Sequence, residues 1–379
     1  MRALHMGISE TYVRGRDIAT DRPVVVVLAL LVGLLVVGMI YELIRQLSTG
    51  ELLFSRLGTY VWDGLMRGLI IGLAGIGLSM TYSILNFANF AHGDYITAGA
   101  FSGWGVTYII AGLGTLDIGA LALVGAGGSA FGGALGINIV STPIAVIAGL
   151  LVAGGTSVVL ALGVDRAIFK PIRSADGISL LITSIGVAFT IRYLLLFVFG
   201  SGTRGTTNTG NLPEYRQYII DGVVPINAHD VTLIVVAGGL MLGIHLLLQY
   251  SRLGKAMRAM SDNKALAQVT GIPTERVVTT TWVLGGALTG VAGYVFVLWK
   301  GTIGFNDGWL LLLLIFAAVI LGGIGSIYGA IVGGLVMGLT QSLSIIWIPS
   351  SFSRAAAFLV MIVILVVVPK GIFSGRATA

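Results

Sequence analysis

The residues of this sequence with the clearest chemical potential are His92 and Asp94, a His-x-Asp pair at the end of the stretch NFANFAHGD. An imidazole and a carboxylate could ligate a metal ion or act as an acid–base pair. No third ligand accompanies them, because no two of the four histidines lie within metal-ligand spacing. The chain also contains no cysteine, which excludes disulfides, thiolate nucleophiles and Cys-ligated metal centres. We therefore predict no catalytic, cofactor-binding or metal-binding residues, and we do not expect an enzyme.

The stretch 86–94 is too short and too apolar for an ordinary loop, and two interpretations of it stay open. Its polar residues could form a cap and a turn, with Asp94 as the N-cap of the following helix. Alternatively, the stretch is a short re-entrant segment that lines a path. Both interpretations need helices on either side of the stretch, and these helices must position its polar side chains.

The composition places those helices in a membrane. Of the 379 residues, 56% are hydrophobic and only 10% are charged, whereas a soluble domain has roughly 25% charged residues. So few polar side chains cannot cover a water-facing surface, which excludes a soluble globular protein and a disordered one. The net charge of +6 does not indicate nucleic-acid binding, because the basic residues stand in short clusters between apolar runs.

Apolar runs long enough to cross a bilayer as helices recur along the chain, without the alternation of membrane strands. We predict an all-α, polytopic transmembrane helix bundle of about ten spans, located in the cell membrane. No small-x-small cleavage site follows the first run, so we expect a retained helix and not a signal peptide. The predicted spans lie near residues 24–43, 61–83, 94–112, 143–165, 178–199, 231–249, 279–298, 309–321, 327–347 and 354–369.

The distribution of Lys and Arg predicts that both termini are cytoplasmic. With alternating spans, the inside segments hold four basic residues in 1–23, three in 166–177, five in 250–278 and two in 370–379, against six in all outside segments. We therefore expect cytoplasmic tails at 1–23 and 370–379, and a transmembrane domain at 24–369. The longest inner loop is 250–278.

Three further connections have distinctive compositions. Residues 113–142 are rich in Gly and Ala, and they predict either an outer loop lying on the protein or a partly inserted hairpin. The polar loop 200–230 suits the aqueous outside. The run GGIGS at 322–326 predicts a tight turn or a broken helix at membrane depth, where irregular backbone must be buried in protein or line a cavity.

Several polar and small residues fall inside the predicted spans. Arg192 either has a functional role or snorkels to the outer interface, Arg67 is predicted to pair with Asp63, and His245 is predicted to be a packed residue. Glycines four residues apart predict close helix packing, and the same contacts could let helices slide during transport. These pairs are Gly68 and Gly72, Gly99 and Gly103, Gly286 and Gly290, Gly325 and Gly329, and Gly334 and Gly338.

The inner loop contains the sequence SDNKALAQVTG, which predicts a short helix with Ser261 or Asp262 as its cap, Gly271 as its terminator and Pro273 as a stop. A short helix flanked by basic residues on the inner face is a docking element for a cytosolic protein, or else a surface turn on anionic lipid. The surroundings of Lys255 lack the Gly and the Ser or Thr of a phosphate loop, so we expect no nucleotide site in this chain.

Several stretches of the chain resemble the permease subunits of ABC importers for branched-chain amino acids, a family that includes close urea-permease relatives. The most specific motifs are NFAHGD and GKAMRA. The matching stretches are 68–101, 170–187, 254–272, 319–334 and the PKGIF at 369–373.

The resemblance implies a permease subunit that forms the translocation pathway for branched-chain or other small amino acids by alternating access. It also implies a second homologous permease, two cytosolic ABC ATPases, an extracellular or periplasmic solute-binding protein and membrane lipid as partners. ATP is then used by the partner subunits, and this chain holds no cofactor and binds no nucleic acid. The short inner helix would couple to the ATPases through Arg258, Asp262, Asn263, Lys264, Ala267 and Gly271.

Two alternatives to amino-acid import stay open from the sequence. The relatives suggest a urea or short-chain amide permease. An ion-coupled secondary transporter normally needs acids deep in the membrane, whereas Asp63 and Asp94 lie near predicted span ends. For transport by alternating access, the candidates for lining the pathway are Asn86, Asn89, His92, Thr183 and Ser184.

Overall fold

The computed structural model describes residues 23–112, 136–206, 212–368 and 371–373. Residues 1–22 of the predicted N-terminal tail, residues 113–135 of the Gly- and Ala-rich loop and most of the C-terminal tail lie outside the described residues. The predicted boundaries of the tails and of the transmembrane domain stay predictions.

The described residues are mainly helical, with four short strands. The helices are α1 (Pro23–Thr49), α2 (Phe54–Leu85), α3 (His92–Ala111), α4 (Pro143–Val164), α5 (Gly177–Phe199), α6 (Ala228–Tyr250), α7 (Arg252–Asp262), α8 (Lys264–Val269), α9 (Thr274–Lys300), α10 (Asp307–Gly322), α11 (Ile327–Leu343) and α12 (Ser353–Val367). The strands are β1 (Arg204–Gly205), β2 (Glu214–Ile219), β3 (Gly222–Asn227) and β4 (Thr302–Ile303). β2 and β3 form an antiparallel hairpin, and β1 pairs antiparallel with β4.

Within the described part of the chain, six helical segments are long and apolar enough to cross a membrane. Two shorter apolar helices, Asp307–Gly322 and Ser350–Val366, accompany them. The prediction of a polytopic helical membrane protein is therefore confirmed. The six segments are Phe54–Leu85, Pro143–Phe169, Gly177–Phe199, Ala228–Tyr250, Thr274–Lys300 and Ile327–Ile346.

Helices α2 and α9 form the centre of the bundle. In their most apolar stretches, 78% and 72% of the residues are buried, compared with 39%, 28% and 33% for α4, α5 and α6. Most buried side chains belong to one continuous core, and a smaller cluster surrounds Trp104 and Tyr294. Helices α4 to α6 therefore supply much of the apolar outer surface, which suits lipid or another membrane subunit.

The β2–β3 hairpin holds the beginning of α2. This helix has no capping side chain at its own N-cap, Leu53. Instead Asp221, in the hairpin turn, accepts hydrogen bonds from the backbone N–H groups of Phe54 and Ser55. Desolvation acts to raise the pKa of Asp221, but these N–H donors outweigh it and lower that pKa. A negative charge at this position also complements the helix dipole.

Glycine pairs bring α2 and α11 into direct backbone contact. A Cβ atom at Gly334 would stand 2.5 Å from the backbone nitrogen of Gly72, and one at Gly338 would meet the backbones of Gly64 and Gly68. The two helices are antiparallel, because residues later in α11 meet residues earlier in α2. The predicted glycine faces thus pack against one another, as small residues do where lipid provides no hydrophobic driving force.

The GGIGS run forms a tight turn between α10 and α11. Gly323 and Gly325 adopt φ values of 103° and 88°, which side-chain-bearing residues rarely tolerate. Ser326 then caps α11, its hydroxyl accepting from the N–H of Gly329. The free carbonyls of Leu321 and Gly322 accept from the N–H groups of Ile372 and Phe373, each at 3.0 Å. The C-terminal residues thus satisfy two carbonyls at the end of α10 within the protein.

We expect Gly338→Ala to destabilise the protein by about 1–3 kcal/mol, because the added methyl group overpacks the α2–α11 contact. Gly243→Ala is the matched control, since nothing lies within 4 Å of a Cβ at Gly243 on α6. Thermal unfolding in detergent measures both variants. A transition temperature that falls equally for both would contradict the close-packing role of Gly338.

Candidate functional site

The stretch between α2 and α3 leaves the helical path and runs beside α5. Helix α2 ends at Leu85, where Asn86 adopts a left-handed conformation with φ 58° and donates its N–H to the carbonyl of Tyr82. Residues 87–91 are not helical, and α3 begins at His92. Asn86 is exposed, and the chain beyond it turns back along α5.

Ser184 holds this irregular stretch in place. Its hydroxyl accepts the N–H of Phe90 at 3.0 Å and lies 3.3 Å from the carbonyl of Ala88. Ser184 lies seven residues into α5, or about 10 Å along the helix axis. Asn89 is buried, and its side-chain oxygen accepts the N–H of Ala91 at 3.1 Å. The side chains of the protein thus satisfy backbone groups that lipid could not.

His92 joins three helices at the centre of the bundle. Its Nε2 lies 3.0 Å from the carbonyl oxygen of Ala74 on α2, and the hydroxyl of Thr289 on α9 lies 3.3 Å away. The imidazole is 2% exposed, because α2 and α9 enclose it. The structure therefore places His92 in the packing between α2, α3 and α9.

Asp94 and Arg192 form a buried ion pair between α3 and α5. Arg192 Nε donates to Asp94 Oδ1 at 3.0 Å and Arg192 Nη2 donates to Asp94 Oδ2 at 2.9 Å. The guanidinium also lies over the ring of Trp309, 4.2 Å from its centroid, and near that of Phe189, at 5.1 Å. Two charge-assisted hydrogen bonds and a cation–π contact therefore hold the Arg192 guanidinium inside the protein.

The prediction for Asp94 is wrong, and one of the two interpretations of Arg192 is excluded. Asp94 is not an N-cap, because α3 begins two residues earlier and its N-cap position is Ala91. Asp94 lies in the first turn of α3, where its negative charge interacts favourably with the positive end of the helix dipole. Arg192 does not snorkel outward, because a carboxylate 98 positions away in sequence holds it inside the protein. The Asp94–Arg192 pair could not be predicted from sequence spacing, because its two residues lie on helices that are distant in the chain.

A row of small and polar residues lies on an open face of α5. Ser179, Thr183, Gly186 and Thr190 recur every three or four residues, so they share one side of the helix. Thr183 is partly exposed, and the other three are exposed. The hydroxyls of Thr183 and Thr190 donate to carbonyls one turn earlier, at 2.8 and 2.9 Å. No described element covers this face, although it lies at the depth of the spans.

The inner loop contains two helices where one was predicted. Helix α7 starts at Ser251, whose hydroxyl accepts the N–H of Gly254. Helix α8 starts at Asn263, whose side chain accepts the N–H of Leu266 at 2.9 Å. The prediction that Ser261 or Asp262 caps the short helix is therefore wrong. Gly271 does terminate it, with φ 85°.

The predicted coupling residues divide into inward and outward groups. Arg258 donates to the carbonyl of Leu248 at 2.7 Å, which attaches α7 to the end of α6. Ala267 is 3% exposed and packs into the core, whereas Asp262 and Lys264 are exposed. Two residues that the sequence reasoning did not select, Leu266 and Val269, are 60% and 86% exposed on α8.

A network of charges lies beside the inner loop, between the α4–α5 connection and α9. Arg173 forms two hydrogen bonds with Asp165, at 2.8 and 2.9 Å, and a third with Glu275 at 2.7 Å. Lys170 Nζ lies 3.4 Å from the Glu275 carboxylate. This network joins the first turn of α9, which follows α8, to the α4–α5 connection. The sequence reasoning missed it, because its members come from two distant segments.

Arg67 and His245, two further polar residues within the spans, each have a side-chain partner. Arg67 donates to the Gln341 side chain at 3.3 Å, and its predicted ion pair with Asp63 is not found among the ion pairs of the described residues. His245 is packed, as predicted, and its Nδ1 is hydrogen-bonded to the Tyr328 hydroxyl.

The fold and these features define a multi-pass helical membrane protein whose spans include irregular backbone held by hydrogen bonds within the protein. The sequence profile of the family described as "Branched-chain amino acid transport system / permease component" matches residues 60–368. This chain belongs to that family. It is an ABC-transporter permease of the inner membrane, and the members of its family are transport components and not enzymes.

Relatives of known role agree with this assignment. The chain is 30% identical over 312 residues to the high-affinity branched-chain amino acid transport system permease protein LivH of Escherichia coli K12, covering 82% of this chain and 94% of that protein. It is 29% identical over 318 residues to LivH of Salmonella typhimurium, with the same two shares. It is 27% identical over 312 residues to the permease protein BraD of Pseudomonas aeruginosa, covering 82% and 93%.

We expect Arg192→Leu to destabilise the permease by about 3–5 kcal/mol, because it leaves the Asp94 carboxylate buried without its partner. The double variant Asp94→Leu with Arg192→Leu recovers part of this loss, since both charges are then removed. Arg216→Gln, at an exposed ion pair on the hairpin, changes stability by less than about 1 kcal/mol. Thermal unfolding of the purified protein tests all three, and equal losses for Arg192→Leu and Arg216→Gln would contradict the assigned role.

Proposed function

We propose that this chain forms half of the translocation pathway of an ABC importer for branched-chain amino acids. A second, homologous permease forms the other half, two cytosolic ATPases bind the inner loops, and an external solute-binding protein delivers the amino acid. The observation that carries this proposal is helix α8. In a chain of the permease family, this short helix exposes two large apolar side chains, Leu266 and Val269.

Ten spans with both termini inside fit the arrangement of the helices. The β2–β3 hairpin contacts the start of α2, whereas α7 and α8 follow the end of α6. The hairpin and the two short helices therefore lie at opposite ends of α6, and we assign the α7–α8 end to the cytoplasm because it carries the larger share of Lys and Arg. Helices α1, α3, α10 and α12 complete the ten spans with the six longer apolar segments.

Coupling to the ATPases proceeds through α8 in this proposal. Leu266 and Val269 insert into a groove on the ATPase, in the manner of an amphipathic helix that uses a few apolar anchors. Asp262 and Lys264 surround these anchors, while the buried Ala267 and the terminating Gly271 fix the position of α8. Movement of α8 then reaches α6 through the Arg258 bond to Leu248, and it reaches α9 through the short 270–273 connection.

The solute passes between the open face of α5 and the second permease. Thr183 lies on this face with Ser179, Gly186 and Thr190, and its position supports the predicted lining role. Asn86 is exposed where α2 ends. Ser184, Asn89 and His92 act from behind as supports, because their hydrogen bonds fix the non-helical stretch that packs against α5. Alternating access then needs two arrangements of this wall, which the partners bind with different affinities.

We expect Leu266→Asp with Val269→Asp to abolish co-purification of the ATPase subunits and ATP-driven uptake, because two carboxylates cannot be buried in an apolar groove. The matched control is Ile220→Asp, which places a charge at an 84% exposed site on the opposite, hairpin end. Uptake of labelled leucine into vesicles is the measurement, with urea as the competing solute. Uptake that continues without ATP but collapses with the proton gradient would contradict the ABC mechanism.

We expect Gly186→Leu to reduce leucine uptake at least about tenfold while ATPase assembly stays intact, because a branched side chain would obstruct the α5 face. Gly239→Leu is the matched control, since Gly239 is likewise open but lies on α6. Uptake and ATPase co-purification are measured on the same preparations. Normal uptake by Gly186→Leu would remove this face from the pathway.

A further inference from the structure

A cavity of about 130 Å³ opens at the end of the bundle opposite α8. Four helices end or begin close to it in the chain: α9 ends at Lys300, α10 begins at Asp307, α11 ends at Leu343 and α12 begins at Ser353. Tryptophan and basic side chains at helix ends mark the level of the lipid headgroups, and Trp299 lines this cavity. The cavity therefore lies at the depth of the lipid phosphates of one leaflet. The proposed function assigns no role to it.

The lining of the cavity carries more positive than negative charge. Its ionisable residues are the cations Arg67, Lys300 and Arg354 and the carboxylate Asp307. Lys300 and Asp307 neutralise each other, because Lys300 Nζ lies 2.7 Å from Asp307 Oδ1. The guanidinium groups of Arg67 and Arg354 remain. Asp63, one turn before Arg67, does not line the cavity and forms no ion pair with Arg67 among the described residues, and counting it would still leave one positive charge in excess.

Arg67 has few partners for a cation inside a membrane helix. Its Nη1 donates to Gln341 Oε1 at 3.3 Å, and its guanidinium lies 5.1 Å from the ring centroid of Trp299. Its Nε is buried and has no hydrogen-bond partner among the described residues. A guanidinium presents five N–H donors, and a buried donor without a partner calls for an explanation. An anionic oxygen in the cavity would supply the acceptor that Arg67 lacks.

A phosphate group fits both the charge and the size of the cavity. The planar fork of a guanidinium matches a phosphate, to which it donates two parallel hydrogen bonds. A cavity of about 150 Å³ holds a benzene molecule, and a phosphate group has one heavy atom fewer than benzene. A molecule that is neutral overall would bring its own positive charge beside Arg67 and Arg354. The lining therefore favours a group with a net negative charge.

The apolar part of the lining distinguishes a lipid from free phosphate. Ile70, Ile71, Leu311 and Leu314 line the cavity and are buried. Free phosphate has no apolar group to place against them, whereas a phospholipid has its glycerol and the first carbons of its acyl chains. The cavity is open on one side, and Arg354 is exposed, so the rest of a lipid can extend out of the cavity into the bilayer.

We propose that this cavity binds the phosphate of an anionic phospholipid, which Arg67 and Arg354 hold together. The hydrogen bond from Arg67 to Gln341 orients the guanidinium toward the phosphate. The bound lipid then links α2, which carries Arg67, to α12, which carries Arg354. The site lies apart from the α5 face, and it does not depend on which solute the permease transports.

The experiment uses the full-length permease purified in a neutral detergent. Native mass spectrometry measures bound lipid, and thermal unfolding measures stability during titration with phosphatidylglycerol. Phosphatidylcholine, whose headgroup is neutral overall, and inorganic phosphate are the other two probes. We expect wild type to bind phosphatidylglycerol at least about tenfold more tightly than phosphatidylcholine, and we expect inorganic phosphate alone to leave the transition temperature unchanged.

Three variants locate the site. We expect Arg67→Gln to weaken phosphatidylglycerol binding at least about tenfold, because it removes a charge-assisted hydrogen bond. Arg354→Gln has the same effect, and it keeps the test open if Arg67→Gln does not fold, since Arg354 is exposed. The matched control is Arg56→Gln, which removes an exposed cation from α2 outside the cavity and leaves binding unchanged.

Three results overturn the proposal. Equal affinity of wild type for phosphatidylglycerol and phosphatidylcholine shows that the cavity does not select an anion. Equal phosphatidylglycerol affinity of wild type, Arg67→Gln and Arg354→Gln places the lipid elsewhere. Inorganic phosphate that stabilises wild type but not Arg67→Gln, with no effect of phosphatidylglycerol, assigns the cavity to a free anion. These measurements need no transport, so their outcome is independent of the proposed function.

Discussion

The structure depends on one constraint: within a bilayer, every backbone polar group and every charge must find its partner in the protein. Two irregular stretches among the described residues illustrate this constraint, because hydrogen bonds within the protein satisfy part of the backbone in each. Ser184 serves the stretch before α3, and the C-terminal residues Ile372 and Phe373 serve the end of α10. Arg192 obeys the same constraint through Asp94. These irregular sites therefore connect elements that the chain order keeps apart.

Close packing at glycine replaces the hydrophobic effect as the means of holding helices together. Apolar side chains gain little by leaving lipid for another helix, whereas backbone-to-backbone approach increases dispersion contacts. The contact of Gly334 with Gly72 shows this at the centre of the bundle. In contrast, Gly186 and Gly239 stand open on the outer helices. Glycines inside the bundle thus allow close helix contacts, whereas glycines at its periphery leave uncovered surface.

The proposed function uses the packed centre and the open periphery of the bundle in different ways. The central helices α2 and α9 carry the buried contacts of His92, which hold the wall behind α5. In the proposed function, the α5 face binds a second permease and helix α8 binds an ATPase. In the proposed function, packed side chains of the centre carry motion from one surface to the other.

The sequence alone determined that this protein lies in a membrane, and it determined most of the helices, the family and the presence of a short helix within residues 250–278. These properties follow from local composition, from the length of apolar runs and from motifs contiguous in the chain. The tertiary structure alone decided the partner of Arg192, the cap that Asp221 gives to α2 and the burial of His92 and Ala267. It also decided that Leu266 and Val269 face outward. Each of these features depends on which helices become neighbours in the fold. Spans that are apolar on all sides have almost no 3.6-residue pattern, so the sequence does not indicate which face of a helix meets which neighbour.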